Sequence, residues 1–255
     1  MLRGRRAARV LDRIDRPELL GVSIVLAVLA AVGWLGSPFW LAVAVGAELA
    51  LAGVAAVRLI GPARLGLGFA RYATPAMAAV ALTLFGRLVA PGTALLLTPL
   101  AAVLLWSVFW LELRFAAGIG PRTMLDLTLV GIVFLAAAGI WRVFGTGGWP
   151  PSLILILLIA LVLAIRAAEA RGSSGIRAVG EAMIHVLAVA QAGAAVVLLD
   201  LPGVAGPALV ALAFYAWGGA IEALDEGSSL RSVLLEFGII GVLGLVVALL
   251  LHQLA

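Results

Sequence analysis

Cysteine and lysine are both missing from the 255 residues of this chain, and only 12% of the residues are charged. Without cysteine there is no disulfide framework, no cysteine-ligated metal and no thiol nucleophile, so the redox compartment cannot be read from the sequence. The shortage of charge is more informative, because a soluble domain must cover much of its surface with polar groups. Hydrophobic residues make up 64% of the chain, and this composition favours a protein whose surface faces lipid.

Sequence motifs for nucleotide binding and for serine hydrolysis are absent as well. The chain contains no GxxxxGK[ST], no GxGxxG and no GxSxG sequence, which argues against nucleotide-driven chemistry and against a nucleophile elbow. Asp225 and Glu226 form its only adjacent acidic pair, which is too weak a signal for a magnesium-bound diphosphate substrate. We therefore predict no metal and no cofactor.

Apolar runs of similar length dominate the sequence. Each run approaches the roughly 20 residues that an α-helix needs to cross the hydrocarbon core of a bilayer. The connections between runs are short and rich in glycine and proline, which is typical of antiparallel neighbours. No segment alternates in hydrophobicity as a membrane strand does. The nine runs cover residues 17–36, 38–58, 70–90, 92–113, 124–144, 151–169, 178–199, 205–223 and 230–251.

These runs predict an all-α fold, a polytopic integral membrane helix bundle of about nine transmembrane helices. We expect a single transmembrane helical domain over residues 17–255, preceded by a basic segment over residues 1–16. That segment has two main interpretations. One is a short interfacial helix on anionic lipid head groups, and the other is a basic tail that sets the topology. Cleavage as a signal peptide is a third.

The arginines are concentrated in every other connection. Six of them precede the first run, and only Arg87 and Arg142 fall on the opposite side of the membrane from the rest. The positive-inside rule then predicts a cytoplasmic N-terminus and, with nine spans, a C-terminus outside the cell membrane. Because topology accounts for the basic charge, we do not predict binding to nucleic acid.

Two stretches of the chain have the same order of loop types, which suggests a duplication. Residues 17–116 and 122–226 each contain a Trp–Pro outer loop, an arginine-bearing inner loop and a Pro–Gly outer loop. Because four spans are an even number, such repeats would be parallel, and residues 230–251 would be an added helix. The alternative is that short membrane loops commonly use proline and glycine, and membrane interfaces commonly use tryptophan.

Glu48 lies near the middle of the second run. It is about ten residues, or about 15 Å of helix rise, from either end of that run. A charge at this depth costs about 2.5–3.5 kcal/mol on insertion scales. A stripe of small residues beside it, Ala42, Gly46, Ala50 and Gly53, favours close helix packing, so we expect Glu48 to face the bundle. It would be either a protonatable or cation-binding carboxylate, or a neutral acid bonded to a neighbouring helix.

The seventh run carries Glu181, His185 and Gln191. Glu181 and His185 are four residues apart and share a helical face. Such a pair could move protons or supply two ligands of an incomplete metal site, although it is not the HExxH zinc motif. The alternative is an ordinary pair near the cytoplasmic interface, with both side chains reaching water.

Glu236 is the second candidate for a buried carboxylate, about two turns into the last run. Small residues follow it at Gly238, Gly241, Gly244 and Ala248, and they favour tight packing onto another span. We therefore group Glu236 with Glu48 as a candidate proton or cation site.

Three functions fit these observations. The favoured one is a transporter or permease-like protein that moves a small solute or ion, with Glu48 and Glu236 as proton or cation sites. The second is a non-catalytic membrane subunit or scaffold that binds a membrane protein partner or forms a homo-oligomer. The third is an intramembrane lipid-modifying enzyme with Glu181 and His185 as acid and base, which requires a cavity beside them. The lipid bilayer is the expected partner in all three.

Overall fold

The computed structural model describes residues 17–60, 68–89, 91–145, 150–201 and 203–254. Within these ranges the regular structure is α-helical, and no strand occurs in them. The basic segment 1–16, with its predicted binding to anionic lipid, lies outside the described residues.

The described residues form nine helices, numbered here in chain order. They are α1 Pro17–Leu35, α2 Pro38–Ile60, α3 Ala70–Gly86, α4 Pro91–Ala116, α5 Arg122–Phe144, α6 Pro151–Ala170, α7 Gly175–Leu198, α8 Ala205–Asp225 and α9 Leu230–Leu254. Eight of them are long and apolar enough to cross a membrane. The exception is α3, which at 17 residues is the shortest of the described helices. The predicted polytopic all-α fold is confirmed, and the predicted helix boundaries agree with the observed ones to within about a turn.

Proline and glycine mark many of the helix ends. Four helices begin with proline, whose missing N–H is not needed in the first turn. Gly172, after α6, and Gly227, after α8, have φ angles of 99° and 88°. Only glycine adopts this left-handed conformation readily. After Gly172, the amide of Ser173 turns back to the carbonyl of Ala168, which closes the end of α6.

The chain divides into two compact units between Thr128 and Leu129, within α5. In the first unit, α1 packs against α2, α3 and α4, and α2 also packs against α3 and α4. The first four helices therefore form a bundle in which α1 contacts each of the other three.

In the second unit, the helices pack largely in chain order, α6 on α7, α7 on α8 and α8 on α9. The last helix is poorly covered, since only 11% of its span is buried. The proposed duplication of residues 17–116 and 122–226 remains a prediction.

Candidate functional site

Glu48 lies on the buried face of α2. This face is built mostly from alanine at helical spacing, and its members include Ala44, Ala52, Ala55 and Ala56. Small side chains allow neighbouring helices to approach closely. The Glu48 side chain is fully enclosed by this packing, as the sequence led us to expect.

The predicted stripe beside Glu48 is not the packing face, and that expectation was wrong. Ala42, Gly46 and Ala50 are exposed, and Gly53 is half-buried. No neighbouring atom lies within 4 Å of the position that a Cβ would take at Gly46 or Gly53. Both faces of α2 are lined with small residues, and lipid is as apolar as a helix interface. Residue size alone therefore could not identify the face that packs.

Thr83 of α3 is the hydrogen-bond partner of Glu48. Its hydroxyl donates to Glu48 Oε1 at 2.5 Å, and Thr83 is itself fully buried. The second carboxyl oxygen, Oε2, is buried and has no hydrogen-bond partner among the described residues. Buried polar atoms rarely lack a partner, so Oε2 is the atom of this site available to a proton, a cation or a ligand.

Thr83 was not among the residues predicted from the sequence. One hydroxyl in an apolar run is a weak signal, because threonine can satisfy itself by donating to the carbonyl four residues earlier. Thr74 of the same helix does this with Ala70. Only the packing of α3 against α2 distinguishes the two threonines.

Close contacts with α1 hold α3 in place beside Glu48. The indole Nε1 of Trp34 donates to the carbonyl of Leu82 at 3.1 Å, and the same ring lies against Gly86, where a Cβ would overlap it. Directly after Gly86, at the end of α3, the Nη2 of Arg87 donates to the carbonyl of Gly36 at 2.6 Å. Thr83 therefore lies between two residues of α3, Leu82 and Gly86, that contact Trp34.

His185, in the second unit, is buried in α7 and bonded to α8. Its Nε2 lies 2.8 Å from the carbonyl oxygen of Phe214, and its ring lies 4.3 Å from the Phe214 ring, centroid to centroid. Because a carbonyl oxygen can only accept, Nε2 carries the proton. Nδ1 has no hydrogen-bond partner among the described residues.

Glu181 binds a different set of groups near the start of α7. Its Oε1 accepts from Ser173 Oγ at 2.7 Å and from Arg177 Nε at 3.0 Å. Its Oε2 lies 3.5 Å from Arg171 Nη2. Glu181 and His185 therefore share a helix but bind separate partners, and the alternative in which both side chains reach water is wrong for His185, which is buried. Gln191 is exposed.

Glu236 is exposed on α9, so the expectation that it is buried was wrong. The small residues that follow it differ in what surrounds them. At Gly238 and Gly241 no neighbouring atom lies within 4 Å of a Cβ position, whereas a Cβ at Gly244 would overlap Leu212 of α8. The helix packs through Gly244 and the buried Ala248, whereas Glu236 is exposed.

The candidate residues divide between the two units. Glu48 belongs to the first unit, and Glu181, His185, Gln191 and Glu236 belong to the second. Within the described ranges, no group of three or more histidine, aspartate or glutamate side chains is arranged to hold a metal ion.

Comparison of the chain with family models, with curated proteins and with solved structures finds no match in any of the three. The class of the protein follows from its own helices. Eight described helices of membrane-spanning length and hydropathy define a multipass helical membrane protein, and its apolar surface belongs in a lipid bilayer.

Proposed function

We propose that the protein is a permease for a small solute or ion and that Glu48 is its proton or cation site. The observation that carries the proposal is the state of the Glu48 carboxyl. It is fully buried near the middle of α2, and one oxygen accepts from Thr83 while the other has no partner among the described residues.

A purely structural role would not require a carboxyl group at residue 48. An apolar residue could pack against the alanines of α2 and their neighbours with no polar group to satisfy. A carboxyl needs compensation at this depth, and Thr83 supplies it to Oε1 alone. A proton or a small cation bound at Oε2 would give this oxygen the partner that it lacks among the described residues. Release of that proton or cation to the other side of the membrane would couple the site to transport.

The test is a flux measurement on purified protein in liposomes. A pH-sensitive dye inside the vesicles reports proton entry, and Na⁺ or K⁺ gradients are tested in parallel. We expect flux with the wild type and with Glu226→Gln, a matched change at an exposed glutamate. We expect it to be lost in Glu48→Gln, because an amide keeps the bond from Thr83 but cannot exchange a proton. Unchanged flux in Glu48→Gln, or none in the wild type, would contradict the proposal.

A second candidate function is that of a membrane subunit that holds a partner. The poor coverage of α9 supports it, because an exposed carboxylate such as Glu236 on an apolar helix is costly in lipid unless another helix covers it. Mild-detergent purification from native membranes is expected to retain a stoichiometric partner or second copy, and Glu236→Leu to release it. A purified monomer that transports a solute would argue for the permease instead.

We also propose that the N-terminus is cytoplasmic in the cell membrane, on the strength of the arginine distribution. Because the chain has no cysteine, single-cysteine variants report accessibility without background. A membrane-impermeant maleimide is expected to label Ser37→Cys in intact cells and Ser228→Cys only after permeabilisation. The reverse pattern would invert the topology.

A further inference from the structure

A groove runs along the outside of the first unit between α1 and α2. Its volume is about 310 Å³, at the lower end of the range for ligand pockets. Both helices contribute to its apolar walls, which are formed by Gly21, Val22, Val25, Leu51, Ala55 and Leu59. With Glu18 included, the lining residues span about 10 Å along α1 and about 12 Å along α2. They start at the end where α1 begins and α2 ends, so the groove follows the helix axes, which is the expected direction of a lipid chain.

A pair of opposite charges lines the groove at that end. Arg58 Nη2 lies 3.5 Å from Glu18 Oε1, and the side chains are 75% and 44% exposed. This long contact uses one nitrogen of a guanidinium that has five N–H donors, and one oxygen of the carboxylate. Among the residues that the structure describes, each side chain therefore has polar atoms left to bind a third group at the helix ends.

We propose that the groove binds one acyl chain of a phospholipid whose head group carries both a phosphate and a primary ammonium, as phosphatidylethanolamine does. The acyl chain lies against the apolar walls, Arg58 donates to the phosphate and Glu18 accepts from the ammonium. Charge complementarity selects this head group. Phosphatidylglycerol offers Arg58 the same phosphate but has no ammonium to balance the charge of Glu18, and the quaternary ammonium of phosphatidylcholine has no N–H to donate.

Gly21 makes the groove open to an acyl chain. No neighbouring atom lies within 4 Å of the position of a Cβ at this residue, so a large side chain there occupies the groove without displacing the helices. Gly46, on α2, has equally open surroundings but does not line the groove. Gly21→Phe and Gly46→Phe are thus a matched pair of variants that differ in whether the new ring fills the groove.

The experiment is native mass spectrometry of the full chain. Protein in detergent is incubated with equal amounts of dioleoyl phosphatidylethanolamine, phosphatidylcholine and phosphatidylglycerol. We expect the wild type and Gly46→Phe to retain phosphatidylethanolamine preferentially, and Gly21→Phe to retain none of the three. Glu18→Gln is expected to lower the ratio of ethanolamine to choline lipid by about tenfold, because a hydrogen bond to a charged group contributes roughly that factor.

Two results would overturn the proposal. One is equal retention of lipid by the wild type and Gly21→Phe. The other is a preference for phosphatidylglycerol that survives Glu18→Gln and disappears in Arg58→Gln, which indicates an anionic lipid site. If Gly21→Phe fails to fold, the lipid ratio in Glu18→Gln decides, because that side chain is partly exposed and its loss leaves the helix packing intact. The proposal does not depend on the role of Glu48, so the flux and lipid experiments can fail separately.

Discussion

Thr83 and Glu48 are 35 residues apart in the sequence and are joined by a 2.5 Å hydrogen bond inside the first unit. The bond links α3 to α2 at a depth where water does not compete for either group. Each side chain therefore depends on the other for its polar contacts, and loss of the threonine hydroxyl leaves both Glu48 oxygens without a donor among the described residues.

We accordingly expect Thr83→Val to destabilise the protein by about 1–3 kcal/mol, the cost of leaving a buried acceptor unsatisfied. Thermal unfolding in detergent, followed by tryptophan fluorescence, measures the loss. Thr83→Ser keeps the hydroxyl and is expected to retain most of the stability. Equal unfolding temperatures for Thr83→Val and the wild type would show that the hydrogen bond contributes nothing.

Gly86 permits the contact between α3 and the indole of Trp34. A methyl group at this position would overlap the ring, so we expect Gly86→Ala to destabilise the protein by about 1–3 kcal/mol through overpacking. The matched control is Gly53→Ala on α2, where no neighbouring atom lies within 4 Å. It is expected to leave the unfolding temperature unchanged or slightly raised. Comparable losses in both variants would mean that α1 and α3 do not pack in this way.

His185 joins α7 to α8 through its ring N–H and through its contact with Phe214. His185→Phe keeps a ring and removes the donor, and we expect a loss of about 0.5–1.5 kcal/mol. His185→Ala also opens a cavity, so its loss should approach the roughly 2–5 kcal/mol of large-to-small core substitutions. Gln191→Ala, at an exposed position of the same helix, should be neutral in the same unfolding assay. A neutral His185→Ala would contradict the observed packing.

Glu181 forms ion pairs with two arginines whose side chains differ in solvent exposure. The Arg171 side chain is 6% exposed, whereas that of Arg177 is 76% exposed. Glu181→Ala leaves the buried Arg171 without this partner, and we expect a loss of about 1–3 kcal/mol. Arg177→Ala removes only a surface pair, so its effect should stay below about 0.5 kcal/mol. Urea unfolding at low and high salt measures the free energy of unfolding of both variants. A larger loss for Arg177→Ala than for Glu181→Ala would contradict the view that the pair with Arg171 is the more important one.

The positions of the helices could be predicted from the sequence because each span must satisfy its own backbone polar groups in lipid. Length and hydropathy are therefore local properties of each segment. The burial of Glu48 could be predicted for a similar reason, since a charge at mid-depth is costly wherever it faces lipid. Glu236 is exposed in spite of this cost, so the cost of a charge in lipid does not by itself determine which face of a helix is buried.

Helix contacts were much harder to predict. The stripe over Ala42 and Gly46 was chosen as the packing face of α2, and the alanine face that carries Glu48 is the one that packs. The partners of Glu48 and His185 come from α3 and α8, and one of them is a backbone carbonyl. Any helix offers many such carbonyls, so no residue type in the sequence marks the one that is used.

By itself, the sequence determined that this chain spans a membrane as a set of helices, where those helices begin and end, and which few polar residues need an explanation. The tertiary structure alone decided which helix faces pack together and that Thr83 donates a hydrogen bond to Glu48. It also decided that His185 and Glu181 bind separate partners and that Glu236 is exposed. The physical reason is that insertion into lipid depends on the total hydropathy of each segment. Packing instead depends on the shape of one helix surface against another, which hydropathy does not encode.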